Sequence, residues 1–465
     1  MAKFLALPVE LLTLITSQLD FESLKALRLT HQKLGDYADR EFFRIVSLYD
    51  EKESCEAFKS IIPNPRLKHN VRKIYLNTVE QDYDYDEEGE SVPPRKWRRL
   101  LPLLSELPNL ESVVLRFDKN CIVDPQFADK PQTELYRVIT MKWLFGALVS
   151  LQHPLEELAI RNLQNTAPPP AAIVEQMKQV LSTLASLRLN AVHEREEFDP
   201  TTAIHKDEPH QFFTHTLATY WLKPAMGSLR KLSLYSSLPW GFYPRVELEG
   251  VHFPNLTSLT LGNFTFFEDK QLDWITSHST IQQLCLDDCP ILFQITVEDS
   301  GHQLSLDPLT RSDRRSSTGP DMRPVMSYTE PNGRVVTWLR CDYPRRWYDY
   351  FVAFQERLPH LCHFGFGINE GWDGWDMPFE REMHIRPALK KTRYMIFYDG
   401  VECIPTDANV HRHMSVPDIL HPPNCDDEDR EALKALYKRI GQQVDYGKFQ
   451  IGRYTVENLL ETHQS

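Results

Sequence analysis

Three absences bound this sequence before any motif is read. The first is an excess of positive charge: over 465 residues the formal net charge is −13. A protein that neutralises phosphates, or lies on an anionic bilayer, needs a basic face, so the balance argues against nucleic acid and membrane as general partners. The second absence is a long apolar run. The longest, about Trp143 to Leu151, falls far short of the roughly 18 residues that a membrane span requires. The third is a cysteine framework. Cys55, Cys121, Cys285, Cys289, Cys341, Cys362, Cys403 and Cys425 are scattered through the chain, which predicts reduced thiols in a cytoplasmic or nuclear protein. Cys285 and Cys289 have no second pair nearby to complete a metal spacing. The first residues do not read as a secretory signal either, because Pro8 and Glu10 interrupt the apolar stretch and no small-residue cleavage site follows.

Catalytic motifs are missing as well. Gly441 and Gly447-Lys448 are separated by five residues where a phosphate loop has four, and Phe449 stands in place of Ser or Thr. Gly365, Gly367 and Gly371 are one residue too widely spaced for a dinucleotide fingerprint. His193-Glu194 meets Glu197 where a zinc helix has its second His. Asp82, Asp84 and Asp86 begin like a calcium loop, but Glu87 and Pro93 occupy its glycine and bidentate-acid positions. There is no Gly-x-Ser-x-Gly elbow. His411-Arg412-His413 with Cys425 is a thin set for a metal. The expectation is a protein that is not an enzyme and holds no cofactor or metal.

What is present is ordinary globular composition, with 42% apolar and 25% charged residues. Apolar spacing predicts helices over Pro8–Leu19, Ser23–Leu29 and Gln32–Val46, a three-helix bundle of marginal size. Further helices are expected over Tyr136–Ser150, Val174–Thr183 and Asp427–Gln443. One string recurs: an apolar residue, two variable positions, then apolar–variable–apolar. Its copies are Val71–Leu76, Leu110–Leu115, Leu155–Ile160, Leu184–Leu189, Leu229–Leu234, Leu256–Leu261, Ile281–Leu286 and, more weakly, Leu361–Phe366. Each reads as a short strand with one face buried and one in solvent. Such units cannot cover their own apolar side and must stack. Loops are expected over Gln81–Lys96, Glu298–Arg334 and Thr406–Asp429, the second of them mobile.

Leu7-Pro8-Val9-Glu10-Leu11-Leu12, followed by Ile15, Leu19-Asp20, Ser23-Leu24, Leu27-Arg28-Leu29 and Phe42-Phe43-Arg44-Ile45, resembles an F-box. With the downstream strings the chain is similar to the F-box/leucine-rich-repeat proteins of filamentous fungi. It departs from many of them at Thr30-His31-Gln32-Lys33-Leu34, where they carry Cys and Trp. The resemblance implies an adaptor in the ubiquitin conjugation pathway. Its F-box would bind a Skp-family adaptor, linked to a cullin–RING ligase, and its remaining chain would bind a protein substrate. By position, Leu7, Pro8, Leu11, Leu12, Ile15, Leu19, Leu24 and Leu27 are the expected adaptor contacts.

The expected fold class is therefore α/β: a small three-helix F-box bundle over residues 1–48, an irregular leucine-rich-repeat-like solenoid over 49–400, and a loop with a capping helix over 401–465. Variable strand positions would face the substrate, among them Arg116, Arg161, Arg188 and Tyr235. The three arginines could grip carboxylate or phosphate, or be ordinary solvated residues. Aromatics from Trp338 to Phe354, with Trp372 and Trp375, would cap the solenoid or form a pocket. Arg314-Arg315-Ser316-Ser317 resembles a basophilic kinase site. Two rival readings stay open: an F-box protein working with the Skp adaptor outside the ligase, and a non-catalytic repeat scaffold.

Overall fold

The computed structural model describes residues 7–78, 84–85, 91–119, 121, 132–166, 169–193, 207–298, 322–368, 385–398, 401–403 and 423–444. The Arg314–Ser317 string, Trp372, Trp375, His411 and His413 lie outside them, as does most of the expected acidic loop. The chain divides into two compact units, Met1–Arg195 with Thr219–Leu229, and Glu196–Ala218 with Arg230–Ser465.

The first unit opens with helices α1 (Val9–Ser17), α2 (Phe21–Arg28) and α3 (Gln32–Phe42). Its parallel strands follow in chain order: β1 (Ile45–Tyr49), β2 (Lys73–Asn77), β3 (Ser112–Arg116), β4 (Glu157–Gln164) and β5 (Ser186–Val192). The register sets Ile45 on Lys73, Lys73 on Ser112, Ser112 on Glu157 and Glu157 on Ser186. Helix α4 (Lys52–Ile61) follows β1, and α5 (Glu134–Leu148) and α6 (Ala171–Leu181) stand between later strands. One device starts each strand. The carbonyl of Arg44 accepts the N–H groups of both Arg72 and Lys73, that of Arg72 accepts those of Glu111 and Ser112, and Glu111 and Glu156 repeat the fork. Helix α5 is pinned by Arg137, a buried cation with no carboxylate in its printed bonds. Its guanidinium donates to the carbonyls of Gln132, Asp118 and Asn162 and lies over the Phe117 ring.

The second unit carries four more parallel strands, β6 (Lys231–Trp240), β7 (Ser258–Phe264), β8 (Gln283–Asp287) and, after a mixed sheet, β12 (His363–Ile368). Lys231, Ser258, Gln283 and His363 stand in register. The mixed sheet is built from β9 (Ile291–Glu298), β10 (Arg323–Thr329), β11 (Val335–Asp342), β13 (Tyr394–Tyr398) and β14 (Val401–Cys403), in the order β10-β11-β9-β13-β14. Phe242, Phe267, Leu292, Ile295 and Phe397 are buried together at its core. Helices α7 (Asp269–Thr276), α8 (Trp347–Arg357) and α9 (Asp426–Ile440) complete the unit. Helix α9 has four acids in its first turn, Lys438 and Arg439 in its last, and Gly441 in the left-handed conformation at its end, as dipole and capping rules require.

The expected fold class is overturned. The chain is an α/β protein whose nine parallel strands, five in the first unit and four in the second, alternate with helices; it is not a small three-helix bundle followed by a leucine-rich-repeat-like solenoid. Two observations explain the error. The strands do not leave a solvated face: Val113, Val114 and Leu115 are all buried, and so is Tyr75 between Ile74 and Leu76. Parallel strands of α/β proteins are covered on both faces, so an alternating string is no guide to exposure there. Nor do the first helices form a bundle of their own. The expected third helix stops at Phe42, and the chain passes directly into β1. Residues 323–329 of the expected Glu298–Arg334 loop form β10. Trp347, Tyr350, Phe351 and Phe354 are fully buried core residues of α8.

Candidate partner-binding surface

The N-terminal helices begin with local chemistry. Pro8 holds φ −54° ahead of α1, as suits a residue whose missing N–H is no loss there. Asp20 caps α2 by accepting the Ser23 N–H at 2.7 Å, and that bond holds its carboxyl below the usual range. His31 caps α3 through Lys33 N–H. The helices are then locked by charge. Buried Asp39 accepts from Arg28 and, at 2.8 Å, pairs with Arg66 of the helical turn Pro65–Lys68. Arg28 also lies over the rings of Phe42 and Phe43, at 4.4 and 4.8 Å. Phe42 in turn stacks on Phe21 at 4.6 Å.

This framework leaves apolar side chains outside. On α1, Leu12 and Thr16 are buried, whereas Leu11 and Leu14, three residues apart on another face, are exposed. Leu14 and Phe21 are each 59% exposed, and Leu29 is 87% exposed. Scattered exposed leucines are ordinary on a protein surface. Five large apolar residues (Val9, Leu11, Leu14, Phe21, Leu29) within twenty-one positions are not, because nearly all other large hydrophobics among the described residues are buried or half-buried.

The adaptor contacts expected from sequence divide into three groups. Pro8 and Leu11 are exposed. Leu7, Ile15, Leu19 and Leu27 are half-buried. Leu12 and Leu24 are core residues, at 1% and 6% exposure, and cannot serve a partner without unpacking the helices. Val9, Leu14, Phe21 and Leu29 were missed. Leu14 was findable, since it follows Leu7 and Leu11 at helical spacing; Phe21 and Leu29 flank α2 and carry no periodic signal.

The expected substrate positions are not a solvated stripe. Arg116 and Arg161 are register partners, but Arg161 is only 5% exposed. Arg188 stands opposite Ala159, off that row, and binds Glu157 at 2.7 Å, a carboxylate that also meets Lys73 at 3.5 Å. Burial pushes the Glu157 carboxyl up, yet Arg188 and Lys73 outweigh it and hold the group below the ordinary range. In the second unit, the ring of Tyr235 lies across Gly262 so that its hydroxyl reaches Asp287 at 2.8 Å. A Cβ at Gly262 would fall on that ring.

Among the described residues, no three His, Cys, Asp or Glu side chains converge as a metal site needs, no cysteine is in a disulfide, and no helix is long and apolar enough to cross a membrane. Comparison with protein-family models and with curated proteins found no match for this chain.

Proposed function

We propose that the chain is a substrate-recruiting subunit of a Skp–cullin–F-box type ubiquitin ligase, with the exposed face of its N-terminal helices docking a Skp-family adaptor. The observation that carries the reading is the cluster of exposed apolar residues on α1 and around α2, in the same stretch that resembles an F-box. Each leucine that a partner fully covers contributes roughly 1.5–3 kcal/mol, so three or four such residues suffice for a specific complex once the costs of association are met. The remainder of the chain then binds a protein substrate.

One observation favours a second reading. Asp39 ties the N-terminal helices to Arg66, within the same compact unit. That linkage would also suit a non-catalytic scaffold whose first helices serve the fold. A pull-down of the full chain with a purified Skp-family adaptor separates the two, run beside Leu11→Asp/Leu14→Asp. Capture by the parent and loss by a variant with unchanged melting support the adaptor role; failure of the parent to bind removes it. Co-purification of a cullin then separates action in the ligase from action outside it.

A further inference from the structure

The two units treat the starts of their parallel strands differently. In the first unit, cations at this edge meet acids of the same edge: Arg72 pairs with Glu111 at 2.6 Å, and Lys73 and Arg188 share Glu157. In the second unit, the corresponding segments 229–231, 254–258, 279–283 and 359–363 contain Arg230, Lys231, His360 and His363 and no Asp or Glu. This occurs in a chain whose formal charge is −13. No carboxylate among the described residues pairs with Arg230 or Lys231, and both are exposed. Beside them lies an open groove of about 400 Å³, lined by Arg230, Asn255, Thr257, Thr280, Gln282 and His360. Its threonine hydroxyls already donate to main-chain carbonyls, Thr257 to Arg230 and Thr280 to Leu256. The side chains left to address a ligand are therefore donors: guanidinium, carboxamide N–H and imidazole.

We propose that this groove binds an extended acidic peptide segment of a protein partner. Arg230 and Lys231 precede and open β6, and His360 and His363 flank the start of β12. β6, β7, β8 and β12 are successive neighbours, so the two basic ends stand three strand spacings apart, roughly 14 Å. An extended peptide covers that distance in about four residues, and its side chains at i and i+4 point to the same side. The fitting ligand thus carries two oxyanions four positions apart, one for each end, with Gln282 and Asn255 able to bond the peptide between them. Arg230 can meet a carboxylate or a phosphate by paired N–H donors. The net acidity of the whole protein disfavours a polyanionic nucleic acid at this edge. The inference does not depend on what the N-terminal helices bind.

The test is fluorescence anisotropy with the full chain and labelled Gly/Ser-based peptides bearing two glutamates at i and i+4, two phosphoserines there, or two glutamines. The proposal predicts that one or both anionic peptides bind at least about tenfold more tightly than the glutamine peptide, and which of them does so names the source of the oxyanion. Arg230→Glu/Lys231→Glu, and the milder Arg230→Ala/His360→Ala, should each melt like the parent and lose most of that preference. Equal binding of all three peptides, no binding of any, an undiminished preference in both folded variants, or tighter capture of a single-stranded oligothymidine would overturn it.

Discussion

At the scale of single residues, three buried groups show how local chemistry sets stability. His278 is 1% exposed; its Nε2 accepts the Phe253 N–H at 3.1 Å and its Nδ1 faces the Trp274 carbonyl at 2.8 Å. Only the neutral ring can accept at Nε2, and burial lowers its pKa to about 4, with the exposed ring of His252 stacked on it. A histidine depressed in the folded state contributes stability that is whole above pH 6.5 and is lost as the pH falls toward 4. The shift corresponds to an effect on the order of 3 kcal/mol. Denaturant midpoints taken between pH 7 and pH 4 should fall, and His278→Gln should flatten that slope; parallel slopes would refute the assignment. Asp429 is fully buried against Arg393 at 2.8 Å and also accepts from Tyr348 N–H and the Tyr394 hydroxyl. Asp429→Ala strands a buried guanidinium, and denaturation should show a loss of roughly 3–5 kcal/mol. Gly262→Ala places a methyl on the Tyr235 ring, and should cost roughly 1–3 kcal/mol while breaking the Tyr235–Asp287 bond.

At the scale of elements, a one-residue difference on α1 separates fold from docking. Leu12→Ala removes a core side chain and should cost roughly 2–5 kcal/mol in chemical denaturation. Leu11→Asp, on the exposed face, should leave the midpoint within about 0.5 kcal/mol. The elements themselves were largely legible. Each of the eight recurring strings lies on a strand, from Val71–Leu76 on β2 to Leu361–Phe366 on β12, because the leading apolar residue and the alternating pair mark the turn and the strand that follows. What those strings could not convey was the second buried face. Tyr75, Val114 and Tyr235 alternate with core leucines just as solvated residues would, and only the covering of the sheet removes them from water. Helix ends were legible to within a few residues, except where α3 gives way to β1: Val46 continues the apolar spacing of the helix, yet it is a β-branched residue in a strand. The partner surface was half legible. A spacing rule locates Leu11 and Leu14, but whether Leu12 or Leu11 faces inward depends on where α3 packs, which the spacing does not contain.

At the scale of the whole molecule, the account is of an α/β protein in two compact units that keeps its N-terminal apolar side chains free for a partner. The Asp39–Arg28–Arg66 network matters here because it fixes those helices without using Leu11, Leu14, Phe21 or Leu29. The central claim is that this face docks a Skp-family adaptor. Hydrogen exchange of the full chain, with and without saturating purified adaptor, tests it most directly. The account predicts slowed exchange across residues 9–29, diminished in Leu11→Asp/Leu14→Asp. Complex formation that protects only other segments, or no change in exchange at any segment, would contradict it.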